Sequence, residues 1–469
     1  MLTRRAVRAV LDRDPAQSAA SAGPARLVAL AVPIVVWTIT LFGLFTPAIA
    51  AWTALFLAIG VFRAVIADHR PATRPPPAVA DADLPTYAVL VPIYREAGVV
   101  PDLVAALRRL DYPADRLEIR LVVEADDHDT RAAAEAAVAG TDLDVIAVPP
   151  SRPRTKPKAL NFALATVGAE HVTIYDAEDR PDPDQLRLAV AAFRAGPPDL
   201  AVVQAALEID HHPSDRPWLV RQFEIEYAML FHGLLPWLGD RGLFLPLGGT
   251  SNHFRRAALD AVGGWDPHNV TEDADIAVRL ARRGWRAGVI ASATREEAPN
   301  RWRPWSAQRT RWLKGWMQTW LTHMSAPIRL HRELGLVDSV AFHLVFAGQL
   351  LSAVAFGPSF LLLALQAAGI VPLFGDGTIG ADVLILTELV ACATGIVGAY
   401  ILATKVSQRR RRRFRLLDVL SMPLYWCLLS VTAVRAGIEL VRAPTQWNKT
   451  QHGVATRIAA SAAAGETAG

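Results

Sequence analysis

Two apolar runs near the start of the chain, Leu27–Phe45 and Ala48–Val65, limit what it can fold into more than any other feature. Each is close to the roughly 20 residues that a bilayer-spanning helix needs. Arg4, Arg5, Arg8, Arg13 and Arg26 precede the first run, and Arg63, His69, Arg70 and Arg74 follow the second. An excess of basic residues marks cytoplasmic flanks. The runs therefore read as a hairpin over 27–66 that leaves the next segment in the cytosol. Three more apolar stretches, 336–371, 382–405 and 416–441, lie near the other end, and Gly357-Pro358 interrupts the first of them. The unbroken basic run Arg409–Arg413 marks another cytoplasmic flank. Five spans are expected, in a multi-pass protein of a bacterial-type inner (plasma) membrane.

Composition fits a soluble unit held between these spans: 52% of the 469 residues are hydrophobic, yet 20% are charged. The net charge of +4 gives no reason to expect nucleic-acid binding. Cys392 and Cys427, the only cysteines, both sit in apolar segments, which argues against a disulfide framework or a cysteine metal site. The first apolar run is too long for a secretory signal, and no small-residue cleavage site follows it.

After a Pro-rich linker (67–86), short β-branched runs alternate with amphipathic helices. Strands are expected at Tyr87–Ile93, Glu118–Val123, Asp144–Val148, His171–Tyr175, Leu200–Leu207 and Arg286–Ala291. Helices are expected near 98–110, 130–138, 159–167, 184–194, 216–235 and 272–283. This alternation predicts an α/β domain over 87–312 with a mainly parallel sheet covered by helices. Ligands of such sheets bind beyond the carboxyl ends of the strands. Residues 1–26 read as a poorly ordered cytoplasmic tail. Trp316, Trp320 and His323 read as part of an interfacial helix over 313–335, followed by transmembrane helices over 336–441 and a C-terminal tail over 442–469.

Unusual polar clusters fall at the expected strand ends. Pro92-Ile93-Tyr94-Arg95-Glu96 follows the first strand and suits a cleft for a base and ribose, or equally an ordinary strand-to-helix turn. Glu124-Ala125-Asp126-Asp127 follows the second; three carboxylates there repel one another unless something positive lies between them, although an exposed capping loop would look the same. Lys156-Pro157-Lys158 opens a helix, where cations and free N–H groups suit phosphate; a solvated basic loop is the plain alternative. Asp176-Ala177-Glu178-Asp179 follows an apolar strand, and carboxylates two apart can share a divalent cation that bridges phosphates. Gly248-Gly249-Thr250-Ser251-Asn252 allows close backbone approach to a sugar, or simply a turn. Thr271-Glu272-Asp273 opens a helix, so by itself it reads as an N-cap followed by acids favoured by the helix dipole. Gln308, Arg311 and Trp312, at i, i+3 and i+4, share one helix face.

In this order and between membrane hairpins, these motifs resemble the family-2 inverting glycosyltransferases, in particular the membrane-embedded cellulose-synthase-like branch. The resemblance covers about residues 85–320, and Gln308-x-x-Arg311-Trp312 is its most specific motif. It implies a GT-A-like domain and an acidic pair holding Mg²⁺ or Mn²⁺ with the UDP pyrophosphate. The matching positions are Asp176 and Glu178, with Asp179 adjacent; Glu178 departs from the usual aspartate. It further implies that Glu124 and Asp126 contact the uracil or ribose, although the usual paired aspartates are shifted here; Pro92, Tyr94 and Glu96 are read from their strand end as part of the same substrate cleft. Lys156 and Lys158 would meet phosphate, Asp273 would be the general base, and Gln308, Arg311 and Trp312 would hold the pyrophosphate and the acceptor end. Trp447–Gly453 resembles the gating segments of processive synthases. The expected activity is addition of sugar from a UDP-sugar, UDP-glucose first, to a growing β-linked exopolysaccharide. Its partners would be the donor, a glycan or lipid acceptor, membrane lipids and accessory export subunits. Single addition to a lipid, or an inactive nucleotide-sugar-binding scaffold, are the alternatives. His343, Gln349, Glu388 and Tyr425 would line an export path or be satisfied packing residues.

Overall fold

The computed structural model of the chain describes residues 2–21, 46–71, 76–370, 379–410 and 413–444. The first apolar run, Leu27–Phe45, and the Trp447–Gly453 segment lie outside them.

Tyr87–Ile93 (β1) is apolar on both faces and buried at every residue but Pro92, as a strand covered by helices on both sides must be. The others are Leu117–Glu124 (β2), Leu143–Val148 (β3), His171–Ile174 (β4), Arg180–Pro181 (β5), Leu200–Ile209 (β6), Asn252–Arg255 (β7) and Arg286–Glu296 (β8), in the spatial order β3-β2-β1-β4-β7-β6-β8-β5. All six strands expected from the sequence form, and they run in one direction. Only the short β5 and β7 are reversed, so three of the pairings are antiparallel and the sheet is mixed. β7 escapes the sequence pattern because it follows Gly248-Gly249 and has only four residues.

The register shows where a cleft must open. β1 pairs with β2 as far as Ile93↔Val123, but its pairing with β4 stops at Leu90↔Ile174. Pro92 lies past that point, where its missing N–H interrupts no ladder bond to β4. The chain leaving β4 diverges from β1, which is where a doubly covered sheet takes its ligand.

Residues 2–21, expected to be a poorly ordered tail, instead fold onto this domain. Leu2–Arg13 is a helix that buries Ala6 and Val10, and two short 3₁₀ turns follow it. The alternation of apolar residues with arginines is the signature of an amphipathic helix.

The helix Thr46–Asp68 packs along Ile379–Arg409. Gly60 and Gly398 lie so close to the facing backbone that a Cβ at either would overlap it, the small-residue contact that apolar helices use. Among the described residues, Pro327–Ala367, Leu389–Arg409 and Met422–Arg442 are each long and apolar enough to cross a bilayer. The first stays helical through Pro358 and breaks at Gly335 instead, whose φ of 73° suits glycine. The expected interfacial helix does not begin at 313. One helix, Trp302–His323, carries the Gln308 motif and continues to His323, burying Leu313, Met317, Leu321 and His323 within the protein.

Candidate functional site

The divergence between β1 and β4 opens a cavity lined by Pro92, Tyr94, Glu96, Glu124, Lys156, Asp176, Glu178, Asp273, Gln308, Arg311 and Trp312. Eleven of the residues singled out in the sequence, spread over more than 200 positions, thus meet in one place. Asp126, Lys158 and Asp179 do not line it. Asp126 points outward and pairs with Arg154 (Nη2 to Oδ2, 2.6 Å), which draws its carboxyl below the ordinary range. Lys158 is fully buried behind the cavity, 2.5 Å from Glu124 Oε1; it braces Glu124 rather than reaching phosphate. Asp179 turns back into the protein, accepting from the Asp176 N–H at 2.7 Å and from the Thr250 hydroxyl. A tight turn places alternate side chains on opposite sides, so adjacency to Asp176 and Glu178 gives no common direction.

Asp176 and Glu178 emerge where the chain leaves β4. Lys156 Nζ lies 2.5 Å from Asp176 Oδ1, 3.4 Å from Glu272 Oε1 and 2.7 Å from the Gly249 carbonyl. Burial alone would lower the Lys156 pKa, but Asp176 and then Glu272 outweigh it and hold the ammonium protonated. Asp179 is pushed well up by burial and then by Asp176 and Glu178. This end of the cavity holds more negative charge than Lys156 neutralises.

Asp273 sits in the first turn of the Glu272–Ala281 helix. The cap reading of Thr271 holds only in part: its side chain makes no cap bond and packs against Gly315. Burial, and then the neighbouring Glu272, push the Asp273 carboxyl up to about 7, against stabilisation from its own helix N-terminus and Lys156. A carboxyl held near neutrality in a cleft has the proton affinity that base catalysis favours. Gly249 keeps the space in front of it open: a Cβ there would stand 3.8 Å from Asp273 Oδ2.

Arg311 faces the same group. Burial lowers the proton affinity of its guanidinium, while Glu272, Asp176, Asp273 and Glu178 oppose that effect. Its Nε, and Gln308 Oε1, are buried with no hydrogen-bond partner among the described residues. Buried polar groups are nearly always satisfied, so both atoms suit a polar group brought into the cavity. Trp312 stacks against Tyr227 with ring centres 6.3 Å apart and lies 5.9 Å from Phe223. Trp312 and Tyr227, with Leu230, Phe231 and Trp316, make the apolar wall of the cavity.

Glu296 and Glu297, which also line the cavity, were not singled out from the sequence. β8 continues to Glu296 because Glu208 and Ile209 of β6 pair with its last residues; its apolar pattern ends five residues earlier. Arg154 was likewise passed over, although it closes over Tyr94 at 5.9 Å.

The helix bearing Gln308 and the loop leading to Asp273 are locked together. Asn269 Nδ2 donates to Thr319 Oγ1 at 2.8 Å, and Gln318 bonds both His268 and Val270. Gly315 lets them touch, since a Cβ at 315 would overlap the Thr271 side chain. Gly315→Ala is therefore expected to force the two apart and cost about 1–3 kcal/mol, read as a fall in Tm.

Residues 85–315 match the family model described as "Glycosyltransferase like family 2". Glucomannan 4-beta-mannosyltransferase 2 of Arabidopsis thaliana is 27% identical over 245 residues, covering 50% of this chain and 45% of that protein. Beta-monoglucosyldiacylglycerol synthase of Synechocystis sp. is 29% identical over 265 residues, covering 54% of this chain and 53% of that protein. The chain spans about half the length of these relatives. Among solved structures, mannosyltransferase PcManGT from Pyrobaculum calidifontis, in complex with GDP-Man and Mn²⁺, superimposes with a TM-score of 0.52 at 20% identity, covering 86% of this chain and 100% of that one. At that identity the likeness is one of fold.

Proposed function

Residues 85–315 belong to the glycosyltransferase-like family 2 with a GT-A-like fold, and from that premise we propose that the chain is a membrane-held inverting transferase. It takes sugar from a nucleotide diphosphate donor, UDP-glucose first, and adds it to a β-linked exopolysaccharide on the cytoplasmic face of a bacterial-type inner membrane. The convergence of Asp273, Arg311, Trp312 and the Asp176–Glu178 turn on one cleft is the observation that carries this reading.

The residues fit a divalent ion. Among the described residues no three His, Cys, Asp or Glu side chains stand close enough to hold a metal alone. Mg²⁺ needs only one or two carboxylates when phosphates and water complete its shell, and the excess negative charge around Asp176 calls for a cation. Asp176 and Glu178 would hold Mg²⁺ or Mn²⁺, and the ion would neutralise charge on the departing diphosphate. Pro92, Tyr94, Glu96 and Glu124 surround the base and ribose. Arg311 and Lys156 face the diphosphate with charge that strengthens as it leaves. Asp273 takes the proton of the acceptor hydroxyl while the leaving group departs on the opposite face, so one direct displacement inverts the anomeric centre. Trp312 and Tyr227 give the acceptor ring an apolar face.

The apolar wall of Leu230, Phe231 and Trp316 favours a second reading, transfer of one sugar to a lipid, which the lipid-glycosylating Synechocystis relative also supports. Both are tested by incubating membranes bearing the protein with labelled UDP-glucose, other UDP-sugars and GDP-mannose, with and without Mg²⁺ or Mn²⁺. Label in a solvent-resistant polymer supports the first reading, and label in one extractable species the second. Donor binding without consumption of any sugar would leave only a scaffold. Activity undiminished by a chelator would remove the metal from the scheme.

A further inference from the structure

Residues 2–21 contact the back of the two elements that present Lys156 and Asp273. Asp266 lies at the start of the loop that ends at Thr271-Glu272-Asp273 and is fully buried. Its Oδ2 accepts from the Ala19 N–H at 2.7 Å, and its Oδ1 from Ser18 Oγ at 3.0 Å and from the His268 N–H at 3.1 Å. One carboxylate thus joins the N-terminal segment to the base loop, using charge-assisted bonds that are stronger than neutral ones. Asn161, on the helix opened by Lys156, makes a matching join. Its Nδ2 donates to the Ala6 carbonyl at 3.0 Å and to the Trp265 carbonyl at 2.7 Å, while its Oδ1 accepts from the Trp265 N–H at 2.9 Å. Thr155 Oγ1 closes the circuit by donating to the Pro267 carbonyl at 2.9 Å.

Of these groups only Thr155 lines the cavity, and the transfer chemistry requires none of them. We propose that residues 2–21 are a positioning strap for the transferase site, acting through Asp266 as the positioning residue. The strap fixes the 265–271 loop, and the loop fixes the direction of the Asp273 carboxylate relative to Lys156. This rests on the transferase reading for its kinetic consequence, but not for its physical one: without the Ala19 N–H, the loop loses a restraint whatever the site does.

Ala19→Pro in the full chain is the decisive variant. Ser18 is extended (φ −102°, ψ 135°) and Ala19 opens a 3₁₀ turn, backbone that accepts a proline, which removes the N–H that Asp266 accepts from. Hydrogen exchange of residues 266–274 is expected to accelerate while β1 and β2 keep their protection. With a turned-over donor, kcat is expected to fall about tenfold with donor KM within about twofold, since a misdirected base weakens the transition state more than donor binding. Ser18→Ala, which removes only a hydroxyl, should show a smaller change of the same kind; it keeps the test open should Ala19→Pro misfold. Unchanged exchange at 266–274 in both variants overturns the strap. So does a loss of activity that only tracks a lower folded fraction. Absence of turnover by the wild-type protein on every donor would instead overturn the transferase reading, leaving the exchange result to decide the strap.

Discussion

Asp273→Asn is expected to slow sugar transfer by about 10²–10⁴-fold, the range that a positioned general base supplies, while the protein still binds the nucleotide. The substitution preserves size and removes the proton acceptor, so the loss should fall on kcat. The wild-type rate should fall as pH drops through about 7, where burial and Glu272 have pushed this carboxyl, because only the deprotonated form can take a proton. Stability should move the other way. With the folded value above the unfolded one of about 3.9, proton uptake favours the fold at low pH, and this contribution is lost as pH rises toward 7. Asp273→Asn, neutral throughout, should therefore have a higher Tm than wild type at pH 8 and no advantage at pH 4. A variant that is dead but more stable at pH 8 would mark Asp273 as a group retained for chemistry. Equal turnover by the two proteins would remove it from the mechanism.

The same residue shows how far sequence carries. Period and strand-end position were enough to place β1, β2, β4 and β6, and with them the ends from which Tyr94, Glu124 and Asp176 reach the cavity. Spacing on a helix was enough to put Gln308, Arg311 and Trp312 on one face. Direction within a turn was not legible: Asp179 differs from Glu178 only in which way it faces, and that is decided by the Thr250 hydroxyl some 70 residues away. Lys158 was misread for a related reason. A lysine written beside Lys156 suggests a second phosphate contact, but the two are separated by two positions on a helix and point to different surroundings, one into the cavity and one onto Glu124. The N-terminal segment was the largest omission. Its arginines suggested only a charged tail before a membrane span, and nothing in residues 2–21 alone reveals that Asp266, some 250 positions on, needs their donors.

Arg311→Met should produce the other large loss, about 10²–10³-fold in kcat, comparable to removing one preorganised charge-stabilising donor. Arg311→Lys should recover only part of it. A guanidinium presents a planar fork that engages two phosphate oxygens together, whereas an ammonium is a point charge that can engage them only singly. The environment of Arg311 adds a consequence that separates electrostatics from packing. Its guanidinium interacts with Asp273 and Glu272 as well as with the Asp176–Glu178 turn, so removing it raises the cost of ionising Asp273. The acid limb of the rate profile should then move to higher pH in Arg311→Met and stay nearly in place in Arg311→Lys. Lys156→Met should move the limb in the same direction, since Lys156 also lowers the Asp273 value. If Arg311→Met lost activity without moving the limb, the guanidinium would act on the diphosphate alone. A shift shared by Arg311→Met and Lys156→Met would instead mean that the two cations that receive the departing charge also keep the base ionised, so that leaving-group stabilisation and proton transfer draw on one charge cluster.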